Sequence, residues 1–224
     1  MNSSGIKWLP WIGDNYFDHD ENLRILIVGE SHYYKDLNQA SIDKINKKTF
    51  TRIVIDEIAN YGQKYPTFSN FHRILFEKDS FDTFSPFWKN VSFFNFVQKP
   101  MYTNKGRPTY NDFYDGWKTF FDVVKILKPQ TCIFIGTTAA NSFMHAIKDT
   151  SFFSAGVRWE EKIGNSYAKT AIANDDENRQ IKIIFIRHTG WCSWRKWRTY
   201  LQKTIPTELT WLENQVSLQL AVDK

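Results

Sequence analysis

Four short apolar segments constrain the fold of this chain more than any other feature of its sequence. They cover residues 24–28, 91–96, 131–135 and 181–186. Each is continuously apolar rather than alternating, which is typical of strands buried on both faces, and helix-compatible stretches lie between them. These features predict an α/β fold, a three-layer sandwich with a central, mainly parallel, four-stranded sheet.

Helical segments are predicted between and after these strands. The clearest covers residues 110–127, where large apolar side chains recur at spacings of three and four residues, and Pro129 follows it. The other helical candidates are residues 43–61, 138–148 and 193–203. We interpret residues 65–90, which are rich in Phe, Ser and Pro, as an irregular insertion, and residues 174–180 as a solvated loop or hairpin tip.

The chain has 224 residues, near the upper end of what one hydrophobic core organises, so we expect a single domain over residues 1–224. No apolar run approaches the ~20 residues needed to cross a bilayer, and the opening stretch lacks the charged-then-apolar order of a secretory signal. We therefore expect an intracellular, cytoplasmic monomer with no membrane partner.

The sequence offers no pattern that would hold a metal or a nucleotide cofactor. Its two cysteines, Cys132 and Cys192, are too few for a Cys-only zinc or iron–sulfur site, and we interpret both as thiols. No group of His, Cys, Asp or Glu has metal-ligand spacing, and no Gly-rich phosphate loop of a familiar type is present. We therefore expect neither kind of cofactor.

Polar and aromatic residues follow the predicted strands. In open parallel sheets, ligands bind beyond the carboxyl ends of the strands, so these residues are the candidates for a site. They are Gly29, Glu30, Ser31, His32 and Tyr33 after the first strand, Asn95 in the second, residues 136–138 after the third, and Arg187, His188 and Trp191 after the fourth. We expect a carboxylate, two histidines, an amide and several rings to converge on one edge of the sheet.

Each of these residues also has a structural interpretation. Glu30 and His32 are two positions apart, so in an extended loop both side chains face a ligand, but Gly29 can also serve only to permit a tight turn before a capped helix. Asn95 interrupts an apolar strand, and its amide either completes a local backbone network or reads a polar ligand. A histidine such as His188 is structural by default, and its position at a strand end favours function.

Residues 181–203 combine basic and aromatic side chains, in a chain whose net charge is +5. The basic residues, with no acidic residue among them, are Lys182, Arg187, Arg195, Lys196, Arg198 and Lys203. Basic side chains beside flat rings suit a phosphate backbone and unstacked bases. For Trp194, Trp197 and Tyr200 we favour the alternative of a helix that packs its aromatic stripe into the core. Trp191 lies in the loop after the fourth strand, where a ring can enter a duplex or cover a ligand.

Taken in chain order, the motifs between residues 24 and 188 resemble those of the uracil-DNA glycosylase superfamily. The family's first motif, a strand followed by Gly and a short polar loop, is similar to "ILIVGESHYY". The family's strand that ends in a base-reading Asn is similar to "FFNFVQKP". Its next segment, a helix and a strand followed by "LG-x-x-A", is similar to "RPTYNDFYDGWKTFFDVVKILKPQTCIFIGTTAANSF". Its last motif, a strand that ends in His, is similar to "IIFIRHTG".

The resemblance implies the fold of that superfamily and a monofunctional DNA glycosylase, which flips a uracil or a modified or damaged base out of DNA and hydrolyses its N-glycosidic bond. The implied catalytic residues are His188, which donates to the departing base, Asn95, which reads the base edge, and Glu30, which polarises water. The implied substrate-binding residues are Gly29, Ser31, His32, Tyr33, Phe50 and Trp191. Among them, Phe50 would stack on the base and Tyr33 would exclude a 5-methyl group. The implied DNA-binding residues are Lys105, Arg187, Arg195 and Lys196.

The chain departs from the family at several of these positions. Ser31 stands where one branch has its water-activating Asp, so Glu30, which matches the Glu of the iron–sulfur branch, is assigned that role. The cluster cysteines of that branch are missing. His32 replaces a proline, and residues 189–190 replace Pro-Ser, which leaves open a base other than uracil. No lysine lies at the motifs, which favours hydrolysis over Schiff-base strand cleavage.

Two other functions fit the same residues. One is a catalytically inactive nucleic-acid-binding module of the same fold, which would bind DNA in a salt-dependent manner without releasing a base. The other is a Ser31–His188 hydrolase of small esters, which a serine-directed probe would label. It ranks last, because Ser31 lacks the oxyanion glycines of a nucleophile elbow.

Overall fold

A seven-stranded sheet runs through the centre of the molecule. The computed structural model describes residues 5–34, 36–78, 81–102 and 106–222. Within them the strands are β1 (Trp11–Ile12), β2 (Ile25–Gly29), β3 (Ser92–Asn95), β4 (Thr131–Ile135), β5 (Val157–Ile163), β6 (Ser166–Asn174) and β7 (Gln180–Ile186). Their order across the sheet is β1-β3-β2-β4-β7-β6-β5.

The sheet is mixed. Strands β3, β2, β4 and β7 pair in parallel, β1 is antiparallel to β3, and β5, β6 and β7 form an antiparallel meander. The predicted fold class, with its four-stranded and mainly parallel sheet, is therefore wrong. The physical reason is that none of the three strands presents a continuous apolar segment. Strand β1 has only two residues, the edge strand β5 has mostly exposed side chains, and β6 mixes buried small or polar residues with partly exposed ones.

Helices precede, connect and follow the strands. The α-helices of the described chain are α1 (Gln39–Asn46), α2 (Phe50–Ala59), α3 (Pro66–Phe76), α4 (Phe81–Asn90), α5 (Tyr110–Leu127), α6 (Phe143–Ala146), α7 (Trp194–Thr204) and α8 (Pro206–Val222). Short 3₁₀ turns are found at Tyr16–Asp18, Glu21–Leu23, Ala139–Asn141, Ile147–Asp149 and Thr189–Trp191.

The helix predicted over residues 110–127 is confirmed as α5. Thr109 and Asp112 form a capping box at its start, and Lys128 takes a left-handed backbone conformation, with φ of 49°, at its end. The single helix predicted over residues 43–61 is wrong, because α1 and α2 are separate helices.

Three further expectations are settled by the helices and turns. Residues 65–90 are not irregular, since they hold α3 and α4, and Pro66 occupies the first position of α3, where its missing N–H costs nothing. Residues 138–148 are helical only in short pieces, α6 and its flanking 3₁₀ turns. Residues 174–180 form the hairpin tip that joins β6 to β7, as predicted.

Helices cover both faces of the sheet. On one face Leu26 and Val28 belong to a buried cluster with side chains of α5 and α6. On the other face Ile25 and Ile27 belong to a second cluster, with side chains of α2, α3, α4, α7 and α8. Since successive side chains of a strand point to opposite faces, a strand covered on both sides must be apolar at every position. This explains the continuous apolar run in β2.

Candidate functional site

A cavity of about 550 Å³ lies at the carboxyl ends of β2, β3, β4 and β7, and α1 and α2 form part of its wall. The predicted site residues that line it are Gly29, Glu30, Ser31, His32, Tyr33, Phe50, Asn95 and His188. The structure thus brings together the three residues assigned to catalysis and five of the six assigned to substrate binding.

The remaining predicted residues are not placed at the cavity. Lys105 lies outside the described residues, and so does the side chain of Trp191, whose backbone belongs to the Thr189–Trp191 turn. The other residues predicted to contact DNA do not line the cavity, and they are Arg187, Arg195 and Lys196. Arg195 and Lys196 are exposed, and Arg187 is half-buried.

The aromatic stripe of α7 belongs to the core. Trp197 and Tyr200 are buried and Trp194 packs against the same cluster, which confirms the structural interpretation of the three rings. Arg198 is also used internally, since it donates to two backbone carbonyls of α3 and forms ion pairs with Glu77 and Glu213. The basic segment therefore offers fewer free charges than its composition indicates.

Gly29 and Asn95 are paired in the register of β2 and β3, which places both at the cavity. A Cβ atom at Gly29 would lie 2.5 Å from Oδ1 of Asn95 and 2.7 Å from Cζ of Phe93. Any larger residue at this position would displace the Asn95 amide. The glycine is thus required by the close packing of that side chain.

His32 holds the Asn95 amide in one orientation. Its Nε2 atom lies 2.8 Å from Nδ2 of Asn95 and 2.8 Å from Oγ1 of Thr51. Because an amide nitrogen can only donate, Nε2 accepts, and the neutral ring carries its proton on Nδ1. Burial lowers the pKa of His32 to about 3, which keeps the ring neutral. The Trp8 and Phe50 rings make edge-to-face contacts with the imidazole, with centroids 4.8 and 4.6 Å away.

Glu30 is held by one residue that lines the cavity, Tyr33, and by one that does not, Arg107. Its Oε1 atom accepts a hydrogen bond of 2.8 Å from the Tyr33 hydroxyl and one of 2.8 Å from Nη1 of Arg107. Burial and the nearby carboxylate raise the pKa of Tyr33, so its hydroxyl stays protonated and continues to donate. Oε2 of Glu30 has no hydrogen-bond partner among the described residues. The carboxylate is therefore oriented by one oxygen and open at the other.

His188 follows β7 and lines the cavity. Its Nδ1 atom accepts a hydrogen bond of 3.2 Å from the backbone N–H of Gly190, so the neutral ring carries its proton on Nε2. Burial lowers the pKa of His188, an effect that the Glu30 carboxylate opposes. In the described part of the chain Nε2 has no partner, and it is a free donor.

Ser31 lines the cavity, but its hydroxyl is used by the loop. Oγ donates a hydrogen bond of 2.6 Å to the backbone carbonyl of Lys99 and lies 3.2 Å from that of Val97. These bonds tie the loop after β2 to the loop after β3. A nucleophilic serine must instead donate to a base, and no hydrogen bond between Ser31 and His188 is described. This arrangement disfavours the Ser31–His188 ester hydrolase.

A second polar group lies in the same cavity and is formed by Lys44, Glu57 and Tyr65. Nζ of Lys44 is 2.8 Å from Oε1 of Glu57, and the Tyr65 hydroxyl donates to Oε2 at 3.0 Å. Burial and the Glu57 carboxylate raise the pKa of Tyr65 to about 12, so the phenol stays protonated at neutral pH. We call these three residues the outer polar group.

Sequence reasoning missed the outer polar group, Arg107 and Thr51. A signal existed for Arg107, since it lies in the basic "NKGRP" stretch that follows the second motif. None existed for Thr51 or the outer polar group, because their contacts join α1, α2 and α3 to one another and to the sheet edge. Such contacts depend on how the helices pack.

No protein-family model matches this sequence, and no curated protein matches it. Within the described residues, no group of three or more His, Cys, Asp or Glu side chains is arranged to hold a metal ion. The helices of the described chain include none with the length and apolar character needed to cross a bilayer.

Proposed function

We propose that this chain is a divergent member of the uracil-DNA glycosylase superfamily and acts as a monofunctional DNA glycosylase, with DNA as its partner and the cytoplasm as its location. The enzyme would flip one base out of DNA and hydrolyse the bond to its sugar. The observation that carries the proposal is that Glu30, Asn95 and His188, each from a different strand end, line one cavity together with the Phe50 ring.

His188 is the donor to the departing base. As the N-glycosidic bond breaks, negative charge develops on the base, and a donor aimed at that charge lowers the barrier. The bond from Gly190 leaves the Nε2 proton of His188 available for this purpose. Its lowered pKa means that the donor is the neutral imidazole.

Asn95 reads the edge of the base. With Nδ2 directed at His32, the Oδ1 atom is left to accept from an N–H of the base, and the second Nδ2 hydrogen can donate to a neighbouring base oxygen. Phe50 offers a ring for stacking beside this amide.

Glu30 acts on the sugar side. The transition state leaves positive charge on the sugar, and a carboxylate stabilises that charge and polarises the attacking water. Tyr33 and Arg107 fix one oxygen of Glu30, so the other can face the sugar or the water without reorienting.

The test is a base-release assay on oligonucleotides that carry uracil, other altered bases or enlarged bases. Wild-type protein is expected to leave an abasic site in at least one of them. His188→Ala should lower kcat by about 10²–10³-fold, the usual cost of removing one donor to a developing anion. His145→Ala removes an exposed histidine outside the cavity and should leave the rate unchanged.

The outcomes separate the proposal from its alternative. Base release at the wild-type rate in His188→Ala would refute the assigned chemistry. Salt-dependent DNA binding with no base released across the panel would instead identify a nucleic-acid-binding module.

A further inference from the structure

The cavity extends well beyond the residues that would contact a base. Phe50, Val54 and Glu57 of α2 all line it, and their spacing places them on one face of the helix. At 1.5 Å per residue, Glu57 lies about 10 Å along the helix axis from Phe50. Glu57 of the outer polar group therefore lies about two helical turns from Phe50, the ring proposed to stack on the base.

The volume of the cavity leads to the same conclusion. At the ~30 Å³ that a water molecule occupies in the liquid, 550 Å³ has room for about eighteen such molecules. An unsubstituted pyrimidine has fewer than half as many non-hydrogen atoms. The base alone therefore does not fill the cavity, which leaves room for its sugar and for a substituent on the base.

The outer end has the wrong charge for a phosphate. Asp36 and Ser41 line the same cavity, whose charged lining residues, apart from Glu30, are thus the carboxylates of Asp36 and Glu57 and the ammonium group of Lys44. That ammonium group, on Lys44, is already paired with Glu57. An anion would be repelled here, whereas hydroxyl groups could donate to the carboxylates and accept from Lys44 and Tyr65.

We propose that the outer polar group binds a hydroxyl-rich, uncharged substituent carried by the flipped base, which makes an enlarged base the substrate class. This inference rests on the proposed glycosylase function. The apolar side chains of Ile45 and Val54 also line the cavity and would contact the linking part of the substituent.

The proposal is tested by base release from matched oligonucleotides that carry either glucosylated 5-hydroxymethylcytosine or plain cytosine and uracil. Wild-type protein should show a kcat/KM at least tenfold higher for the glucosylated base. Lys44→Ala and Glu57→Gln should each lower the ratio of kcat/KM for the glucosylated base to kcat/KM for the plain bases at least tenfold. Lys48→Ala, which removes an exposed lysine outside the cavity on the same segment, should keep it. Equal kcat/KM for enlarged and plain bases would overturn the inference and leave the glycosylase proposal standing.

Binding without catalysis gives an independent measurement. Calorimetric titration of the free glucosylated nucleoside should show at least tenfold tighter binding than its unsubstituted counterpart, and Lys44→Ala should abolish the difference. If no base is released from any oligonucleotide but this preference is found, the glycosylase proposal fails and the subsite stands. Equal affinities for the two nucleosides refute the subsite.

Discussion

Two buried histidines lie in different surroundings. His32 lines the cavity and has Asn95 and Thr51 as partners at 2.8 Å. His72, on α3, packs among aromatic rings, with the centroids of Phe84 and Phe87 at 4.0 and 4.9 Å. Neither of its ring nitrogens has a hydrogen-bond partner among the described residues.

The pKa does not distinguish these histidines. Burial lowers the pKa of each to about 3, because a charged imidazole is costly in an apolar environment. What differs is the set of contacts, since His32 fixes an amide beside a cavity whereas His72 fills space as an aromatic ring. A strongly shifted pKa thus reports burial, and only the neighbouring groups and the cavity point to function.

The largest expected effect is on stability in acid. Both histidines titrate near 6.5 when unfolded and near 3 when folded, so between these pH values the unfolded chain binds more protons. The stability they contribute is fully present above pH 6.5 and is lost as the pH falls, at ~1.4 kcal/mol per pH unit for each histidine. Denaturant unfolding of wild type and His72→Phe at pH 7, 5 and 4 measures it. The free energy of unfolding of the variant should fall less steeply with decreasing pH than that of wild type, by the contribution of one histidine. Identical pH dependence in the two proteins would contradict the assigned pKa shift of His72.

A smaller effect is expected on base release. His32→Phe leaves the Asn95 amide without the acceptor that orients it, so kcat should fall at least tenfold, about 1.4 kcal/mol of barrier. His32→Gln restores an acceptor and should recover part of the loss, which a purely structural role would not predict. His72→Phe should leave kcat and KM unchanged. Equal losses in His32→Phe and His72→Phe would remove the distinction between the two regions.

The smallest effect concerns the aromatic cluster at neutral pH. His72→Phe replaces two unpartnered buried nitrogens by apolar carbon of similar shape, so the free energy of unfolding at pH 7 should rise by ~1 kcal/mol. Chemical denaturation measures the difference. A destabilised variant would indicate that the ring nitrogens of His72 have partners that stabilise the fold.

The parts of the fold that the sequence predicted well are those with a strong local pattern. Strand β4 and helix α5 have the predicted bounds, because one is continuously apolar and the other has a regular stripe that ends before Pro129. Strands β5 and β6 lack such a pattern, because most side chains of β5 are exposed and those of β6 include Lys169 and Thr170 among its apolar residues. Helix α8 was missed, although it contributes Leu209 and Leu212 to the core.

The site was predictable as far as chain order determines it. Parallel neighbours bring their carboxyl ends to one edge, so Glu30, Asn95 and His188 could be grouped without coordinates. The ion pair of Glu30 was not predicted, because Arg107 is 77 residues away in the chain and its basic stretch alone does not indicate which carboxylate it contacts. The hydrogen bond from the Ser31 hydroxyl to the backbone carbonyl of Lys99 was also not predictable, because Lys99 lies in the loop after a different strand.

The mixed sheet also has a consequence for the order of folding. Strands β5, β6 and β7 follow one another through short turns, whereas β2 joins β3 and β4 only across the long segments that hold α1 to α5. Pairings between residues close in sequence cost less loop-closure entropy and form faster. We therefore expect the meander to form first and to offer β7 as the template for β4. His188 would be in place before Glu30 and Asn95 reach it, so the cavity is completed late in folding.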